Sequence, residues 1–157
     1  GPALRCSVLQ VETAGVYRAG GRYSLQDLSL STGVQVTPSF DVETYDTDGF
    51  HSGSSAGFTI PAAFNGKWAR LQATIRFSSN ASGSRQSIFY KNGTFDAGAS
   101  TQTIVAPVSG SETIMNVVSA PFQVATGDFF DMRVAQTSGS TLDLHASATF
   151  FSIEILN

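Results

Sequence analysis

The chain has 157 residues, 41% of them hydrophobic and 13% charged, and a net charge of -3. This length suits one domain with a sizeable core, and the hydrophobic content excludes a disordered chain. The negative charge argues against a nucleic-acid partner, no apolar run is long enough to span a membrane, and a single cysteine excludes an internal disulfide. The 21 serines, 15 threonines and 15 glycines favour strands and turns over a helical bundle.

The N-terminal region carries weak structural signals. Gly1-Pro2 has the form of an expression-tag remnant. Residues 7–11 could be a strand, and residues 25–30 could be a helical turn or an extended arm. We therefore predict that residues 1–33 are a tag remnant and an entry or linker segment, and that residues 34–157 form the folded domain.

Alternation of apolar and polar residues predicts a series of strands in the remainder of the chain. The clearest runs from Ala69 to Phe77, where every second residue is apolar. The other predicted strands are 86–90, 94 onward, 103–105, 112–118, 129–136, 142–148 and 151–156. Asn92-Gly93 predicts a tight hairpin between the first two of these, because both residue types tolerate a positive φ. Short strands at this spacing indicate a sandwich or a barrel.

Several aromatic residues occupy strand faces on which polar residues are expected. Trp68 and Phe129 are each in phase with polar residues of their strands, whereas Phe89 and Phe151 each have an aromatic neighbour on the opposite face. A single sandwich has only one interior. Either bulged strands and loops cover these rings, or a second chain does. The strand pattern leaves both explanations open.

Short motifs follow one another in a recognisable order. They are Phe40-Asp41, Tyr45-Asp46 through Gly49, Phe58-Thr59-Ile60-Pro61, Asn65-Gly66-Lys67-Trp68, Lys91-Asn92-Gly93, Phe122 through Asp128, and Phe151-Ser152 with Ile155-Leu156. In this order they make residues 34–156 resemble a C1q/TNF-like jelly-roll domain. The chain departs from that pattern at Ile153, near which the closing strand of the family carries a glycine.

The resemblance implies an all-β fold, an antiparallel jelly-roll β-sandwich of about ten strands. Domains of this family usually assemble as compact homotrimers with aromatic side chains along the axis. The resemblance therefore assigns Trp68, Phe89, Phe129 and Phe151 to a trimer interface. It also implies binding of proteins or glycans through exposed loops, no chemistry and no cofactor, with weak calcium binding as the alternative.

Loop residues that combine aromatic rings with hydrogen-bonding groups are the candidates for ligand contact. They are Tyr45, Asp46, Asp48 and His51 in one loop, and Arg85, Tyr90, Lys91 and Asn92 around the hairpin. Aromatic rings stack on sugars, and the polar groups bond to hydroxyls. The alternative for each is an ordinary solvated turn residue.

No catalytic or metal constellation is predicted. His145 alternates with Asp143 and Ser147, but alternate residues of a strand are about 7 Å apart, too far for the contacts of a catalytic triad. The loop that starts at Asp46 begins like a calcium loop, yet Ser55 stands where such a loop needs glutamate. We therefore predict that the protein is not an enzyme.

The resemblance and the composition together predict a receptor-binding module of a phage tail, fibre or head appendage. It would be a homotrimer on the virion surface, joined to an upstream fibre or spike segment, and would bind a host cell-surface polysaccharide or protein. Neither nucleic acid nor membrane insertion is expected. The alternatives are a structural trimerisation or decoration cap of such an appendage, and a secreted C1q-like ligand, which glycosylation at Asn80 or Asn92 would favour.

Overall fold

A computed structural model describes residues 18–52, 55–95, 98 and 100–156. Within this part of the chain the strands are β1 (Gly20–Ser24), β2 (Leu28–Leu30), β3 (Val42–Asp46), β4 (Gly57–Thr59), β5 (Trp68–Phe77), β6 (Arg85–Lys91), β7 (Gln102–Val105), β8 (Thr113–Val118), β9 (Phe122–Gln123), β10 (Phe129–Gln136), β11 (Leu142–Leu144) and β12 (Phe150–Ile155). A single 3₁₀ turn covers Ala62–Phe64. Among the described residues no helix could cross a membrane.

The strands form two antiparallel sheets. The larger has eight strands in the order β2-β11-β5-β12-β1-β3, with β8 and β9 paired to the other edge of β5. The smaller has four strands in the order β4-β10-β6-β7. The chain passes from one sheet to the other between β3 and β4, β4 and β5, β5 and β6, β7 and β8, β9 and β10, and β10 and β11. This is a jelly-roll sandwich, so the predicted all-β class and antiparallel architecture are confirmed, with twelve strands among the described residues in place of about ten.

Strand β5 shows why these residues form a sandwich. Ala69, Leu71, Ala73, Ile75 and Phe77 alternate along it and are all fully buried, as the sequence predicts. The residues between them point to the outer face of the larger sheet. Period-two alternation of this kind places one face on the core and leaves the other in water.

Phe89 and Phe151 lie in the core of a single chain, so the structure corrects their assignment to an intersubunit surface. Both are 0% exposed, and their rings stack with 5.6 Å between centroids. Their neighbours point the other way, and Phe150 is partly covered by the guanidinium of Arg22, 3.7 Å above its ring. Adjacent aromatic residues therefore mark one core ring and one outward ring.

The structure also places β1 and β2 inside the larger sheet, although both fall within the predicted entry segment 1–33. β1 lies between β12 and β3, and β2 pairs with β11. Leu25 and Leu30 are buried. The glycines of β1 hide the strand signal, because they carry no side chain to alternate. The predicted strand at 7–11 lies outside the described residues.

The Asn92-Gly93 turn is confirmed, with φ of 50° and 76° at the two residues. A second hairpin strand is predicted to begin at Thr94, and this prediction is wrong for the described residues that follow the turn. Thr94 forms one bridge to Lys91, and β6 pairs instead with β7. The predicted strand 142–148 ends at Leu144.

Candidate functional site

Four loops meet at one end of the sandwich, which we call the loop end. They are residues 46–52 after β3, 60–67 before β5, 91–95 after β6 and 124–128 before β10. Backbone hydrogen bonds join the loop before β5 to the loop before β10. The amide of Gly66 donates to Val124, and that of Gly127 donates to Ile60. Loops at one end of a rigid sandwich are where such folds usually bind ligands.

Asp46 organises the first of these loops. Its Oδ1 accepts hydrogen bonds from the amides of Asp48 (3.3 Å), Gly49 (2.9 Å) and Phe50 (3.0 Å), and its Oδ2 accepts one from the amide of His51 (3.0 Å). Burial by itself would raise the pKa of this carboxyl, but these donors outweigh it, so the pKa of Asp46 is lowered. Four amide N–H groups and the hydroxyl of Tyr23, not open space, surround the two oxygens. Asp46 therefore shapes the loop and is not arranged as a calcium ligand.

Tyr23 and His51 form the inner wall of the same loop. Their rings stack with 4.0 Å between centroids, and the Nε2 of His51 lies 2.8 Å from the carbonyl oxygen of Ser55. The hydroxyl of Tyr23 lies 2.9 Å from Asp46 Oδ2 and 3.1 Å from Glu43 Oε2. Burial, followed by these carboxylates, raises the pKa of Tyr23. His51 is thus a structural residue that is largely inaccessible to a ligand.

Tyr45 and Asp48 are the accessible members of the first predicted group. Tyr45 is 45% exposed and lies on the outer face of the larger sheet. There it lines a cleft of about 270 Å³ together with Arg70 and Glu154. Asp48 is exposed and accepts a hydrogen bond from the hydroxyl of Thr47. Tyr45 and Asp48 are therefore both exposed to solvent in one chain.

The hairpin loop is tied to the loop before β10 through Asp128. Asn92 Nδ2 donates to Asp128 Oδ1 (3.1 Å), and Lys91 Nζ lies 3.5 Å from Asp128 Oδ2. The other side of the Asn92 amide accepts the amide hydrogen of Phe129 at 2.8 Å. Burial would raise the pKa of Asp128, but the amide of Ala125 and these two side chains lower it overall. The loops are held in one arrangement before any ligand arrives.

A groove of about 310 Å³ lies between the loops before β5, after β6 and before β10. It is lined by Asn65, Gly66, Lys91, Gln123, Val124, Ala125 and Asp128. Asn65 Oδ1 accepts the amide hydrogen of Thr126, and Gln123 Nε2 donates to the carbonyl of Gly66. Asn65 and Gln123 are not among the predicted contact residues, because nothing in the strand pattern indicates that their loops are adjacent.

Arg85 does not join the other predicted contact residues. It begins β6 at the opposite end of the sandwich, about 20 Å from Lys91 at 3.3 Å per residue. Its side chain is 0% exposed and donates to the carbonyls of Asn80, Ser82 and Ser84. Burial lowers its pKa. The structure thus corrects the prediction that Arg85 contacts a ligand.

Tyr90 points outward from the smaller sheet and is stacked with Arg133. The guanidinium carbon of Arg133 lies 3.7 Å from the ring centroid of Tyr90. Sequence reasoning missed Arg133. The available signal was its alternation with Phe129 and Asp131 on β10, which places all three on the outward face.

Trp68 and Phe129, the remaining predicted interface residues, lie at the loop end on opposite faces of the sandwich. Trp68 is 48% exposed and points outward from the larger sheet. Phe129 is partly buried and points outward from the smaller one. One flat contact surface therefore cannot include both rings.

The candidate catalytic residues are also separated in the structure. His145 Nε2 lies 3.3 Å from Glu112 Oε1, and Asp143 Oδ1 accepts a hydrogen bond from Ser29. Ser147 donates no bond to His145 but accepts one from Arg76. Within the described residues no group of three or more His, Cys, Asp or Glu side chains is placed to hold a metal ion.

Comparison with known proteins shows the fold. No protein-family model and no curated protein matches the sequence. Among solved structures, the chain is similar to murine APRIL, with 10% identity and TM-scores of 0.63 at pH 5.0 and 0.64 at pH 8.0, covering 89% of this chain and 100% of the APRIL chain in those structures. It is also similar to Eiger TNF from S. frugiperda, with 11% identity, a TM-score of 0.55 and coverage of 89% and 93%. The fold is thus a C1q/TNF-like jelly roll.

Proposed function

We propose that this protein is a non-enzymatic adhesion module that assembles as a homotrimer and presents the loop end to a cell-surface polysaccharide or protein. The observation that carries the proposal is the loop end itself, where three loops joined by hydrogen bonds surround a polar groove on a TNF-like scaffold. The serine, threonine and glycine content and the presence of only two lysines support an extracellular position on a phage tail, fibre or head appendage.

Exposed apolar side chains on the outer face of the larger sheet support assembly. Val42 and Tyr45 on β3 and Ile114 and Val118 on β8 are 43–53% exposed. The two groups are about 19 Å apart, because β1, β12 and β5 lie between them at about 4.8 Å per strand. Two different patches favour a contact in which one patch meets the other on a neighbouring copy. Repetition of such a contact closes a ring of three when neighbouring copies are related by one third of a turn.

Light scattering tests the assembly. The expected mass at micromolar concentration is three times the 16.5 kDa of one chain. Trp68→Ala should shift the protein towards smaller species, whereas Val34→Ala should not. Val34 is a matched control because it is 49% exposed but lies outside the larger sheet. A monomeric wild type would refute the trimer.

Retention on whole cells tests adhesion. The protein should be retained on a host strain, and removal of the capsule should abolish retention if the ligand is a polysaccharide. Gln123→Ala, an exposed residue of the groove, and Asp48→Ala in the neighbouring loop should weaken retention, and their unfolding temperatures show whether a loss comes from destabilisation. Absence of retention on every host strain tested would refute adhesion.

The second candidate is a structural cap that trimerises a stalk and recognises nothing. It is favoured by one observation: Asp46, Asp128 and Asn92 direct their polar atoms at their own backbone or at each other. A cap predicts that deleting the module abolishes assembly of the appendage, while the loop variants adsorb like wild type. Turnover of a polysaccharide by the purified protein would refute both candidates.

A further inference from the structure

The outward face of the smaller sheet carries a cluster that neither the fold nor the loop groove requires. We call it the Arg133 cluster; it consists of Tyr90, Phe95, Asp131 and Arg133. Asp131 is directly opposite Tyr90 in the β10–β6 register, and Arg133 is the diagonal neighbour of Tyr90. Phe95 follows the hairpin turn, and its ring meets the Tyr90 ring edge to face at 6.3 Å.

The guanidinium of Arg133 is held from two sides. One face lies 3.7 Å from the Tyr90 centroid, and Nε donates to Asp131 Oδ1 at 3.0 Å. Asp131 is only 5% exposed, so its carboxylate cannot turn away into water. Most of the conformational entropy that an arginine loses when it binds a ligand is therefore already lost in the free protein.

The two terminal amines of Arg133 remain available. The side chain is 25% exposed, and in the described part of the chain neither amine makes a hydrogen bond. The terminal amines are occupied in several other arginines. Arg70 and Arg76 bind carboxylates through their terminal amines, and Arg85 binds carbonyl groups. Parallel N–H groups on a fixed plane match the two oxygens of a carboxylate.

An apolar surface stands beside these donors. Phe95 is 55% exposed, and its ring lies within about 10 Å of the guanidinium, since both contact Tyr90. An exposed ring can pack against the C–H face of a sugar while the carboxylate of that sugar reaches the arginine. The buried charge of Asp131 compensates that of Arg133, which favours a singly charged carboxylate over a phosphate dianion.

We propose that the Arg133 cluster is a subsite for a carboxylate-bearing sugar, such as a hexuronate unit of an acidic polysaccharide. This inference rests on the proposed function, because it names the chemical class of glycan that the module recognises. The subsite lies on the smaller sheet, so assembly through the larger sheet leaves it open to solvent.

Titration calorimetry with hyaluronan oligosaccharides, which contain glucuronate, tests the subsite. Their carboxyl-reduced counterparts are the neutral probe. The acidic oligosaccharides should bind at least about tenfold more tightly than the reduced ones. Arg133→Lys keeps the charge but loses the paired donors and should remove this difference. Arg22→Lys is the matched control, because Arg22 also lies 3.7 Å above an aromatic ring, Phe150, but on the other sheet.

A second variant separates sugar recognition from simple anion binding. Phe95→Ala should weaken binding of the acidic oligosaccharide while leaving any binding of free acetate or inorganic phosphate unchanged. The unfolding temperatures of all variants identify any variant that is merely destabilised. If a variant is destabilised, the test of the subsite is instead the binding of the acidic and the reduced oligosaccharides by the wild type. Equal binding of both probes by the wild type, or no binding of either, would overturn the subsite.

The cell assay keeps this failure distinct from that of the proposed function. If the wild type and Arg133→Lys are retained equally on host cells, adhesion stands and the subsite is refuted. If the acidic oligosaccharide binds with the expected preference but no cell retains the protein, the subsite stands and adhesion is refuted.

Discussion

Replacement of Phe151 by alanine tests whether the core of one chain covers this ring. Its ring centroid lies 4.7 Å from that of Phe58 and 5.6 Å from those of Phe40 and Phe89, and the residue is 0% exposed. Truncation of a buried phenylalanine removes the ring and leaves a cavity, which costs about 3–5 kcal/mol. Because a whole domain is stable by only about 5–15 kcal/mol, Phe151→Ala should lose a large part of the free energy of unfolding.

The preceding residue on β12 provides the matched control. Phe150 is partly exposed and packs under the guanidinium of Arg22. Loss of an exposed cation–π contact costs about 0.5–1 kcal/mol. Phe150→Ala should therefore be at least about 2 kcal/mol more stable than Phe151→Ala, although the two changes remove the same atoms from adjacent positions.

Urea unfolding of both variants at several protein concentrations measures the difference. In thermal unfolding of a chain of this size, each kcal/mol of lost stability lowers the melting temperature by about 2–4 °C, so Phe151→Ala should melt about 6–20 °C below wild type. The gap between the variants should persist at every concentration, since the contacts lie within one chain. Variants within 1 kcal/mol of each other, or a gap that vanishes on dilution, would refute the core assignment.

Three further changes test the loop end and the sheet contact. Asp46→Asn should lower the free energy of unfolding by about 1.5–3 kcal/mol at pH 7. Folding lowers the pKa of Asp46, so the carboxylate stabilises the fold fully above the unfolded value of 3.8 and loses this effect as the pH falls. The difference in unfolding free energy between wild type and Asp46→Asn should therefore shrink in acid. Folding raises the pKa of Tyr23, so the protonated phenol stabilises the fold below the unfolded value of 10.0, and this stabilisation is lost as the pH rises above it. The free energy of unfolding of the wild type should fall above that pH, and that of Tyr23→Phe should fall less. Gly57→Ala should cost about 2–3 kcal/mol, because a Cβ there would collide with the carbonyl of Phe130.

Unfolding curves measured as a function of pH check the first two changes, and a urea curve at pH 7 checks the third. A constant offset between Asp46→Asn and wild type down to pH 2 would contradict the role of the carboxylate. Parallel alkaline curves for wild type and Tyr23→Phe would contradict the role of the phenol. Wild-type stability in Gly57→Ala would show that β4 and β10 do not approach as closely as the structure has them.

Local patterns in the sequence were sufficient for much of the fold. The alternation in 69–77 predicts β5 to within one residue of its observed bounds, and the predicted strand 129–136 has the bounds of β10. Asn92-Gly93 predicts its own turn because only a few residue types adopt positive φ readily. Each of these signals depends on neighbouring residues alone, so each can be read without knowledge of the partner strand.

Which strands pair, and which face of a strand such as β6 is buried, depended on tertiary structure. Arg85 and Phe89 share the buried face of β6 with Ser87. Because Arg85 and Ser87 are polar, the sequence did not indicate that this face is the buried one. β1 could not be recognised from its glycines, since one of its two partner strands, β12, lies more than 100 positions away in the chain.

The candidate sites show the same division. The residue types were available from the sequence, which indicated Tyr90, Lys91 and Asn92 as possible contacts. The proximity of Asn65 to Gln123, and the stacking of Arg133 on Tyr90, arise where separate strands meet. Composition and alternation constrain what each segment can form by itself, whereas side chains far apart in the chain become neighbours only when the sheets pair and pack, because that is when the order of the strands is decided.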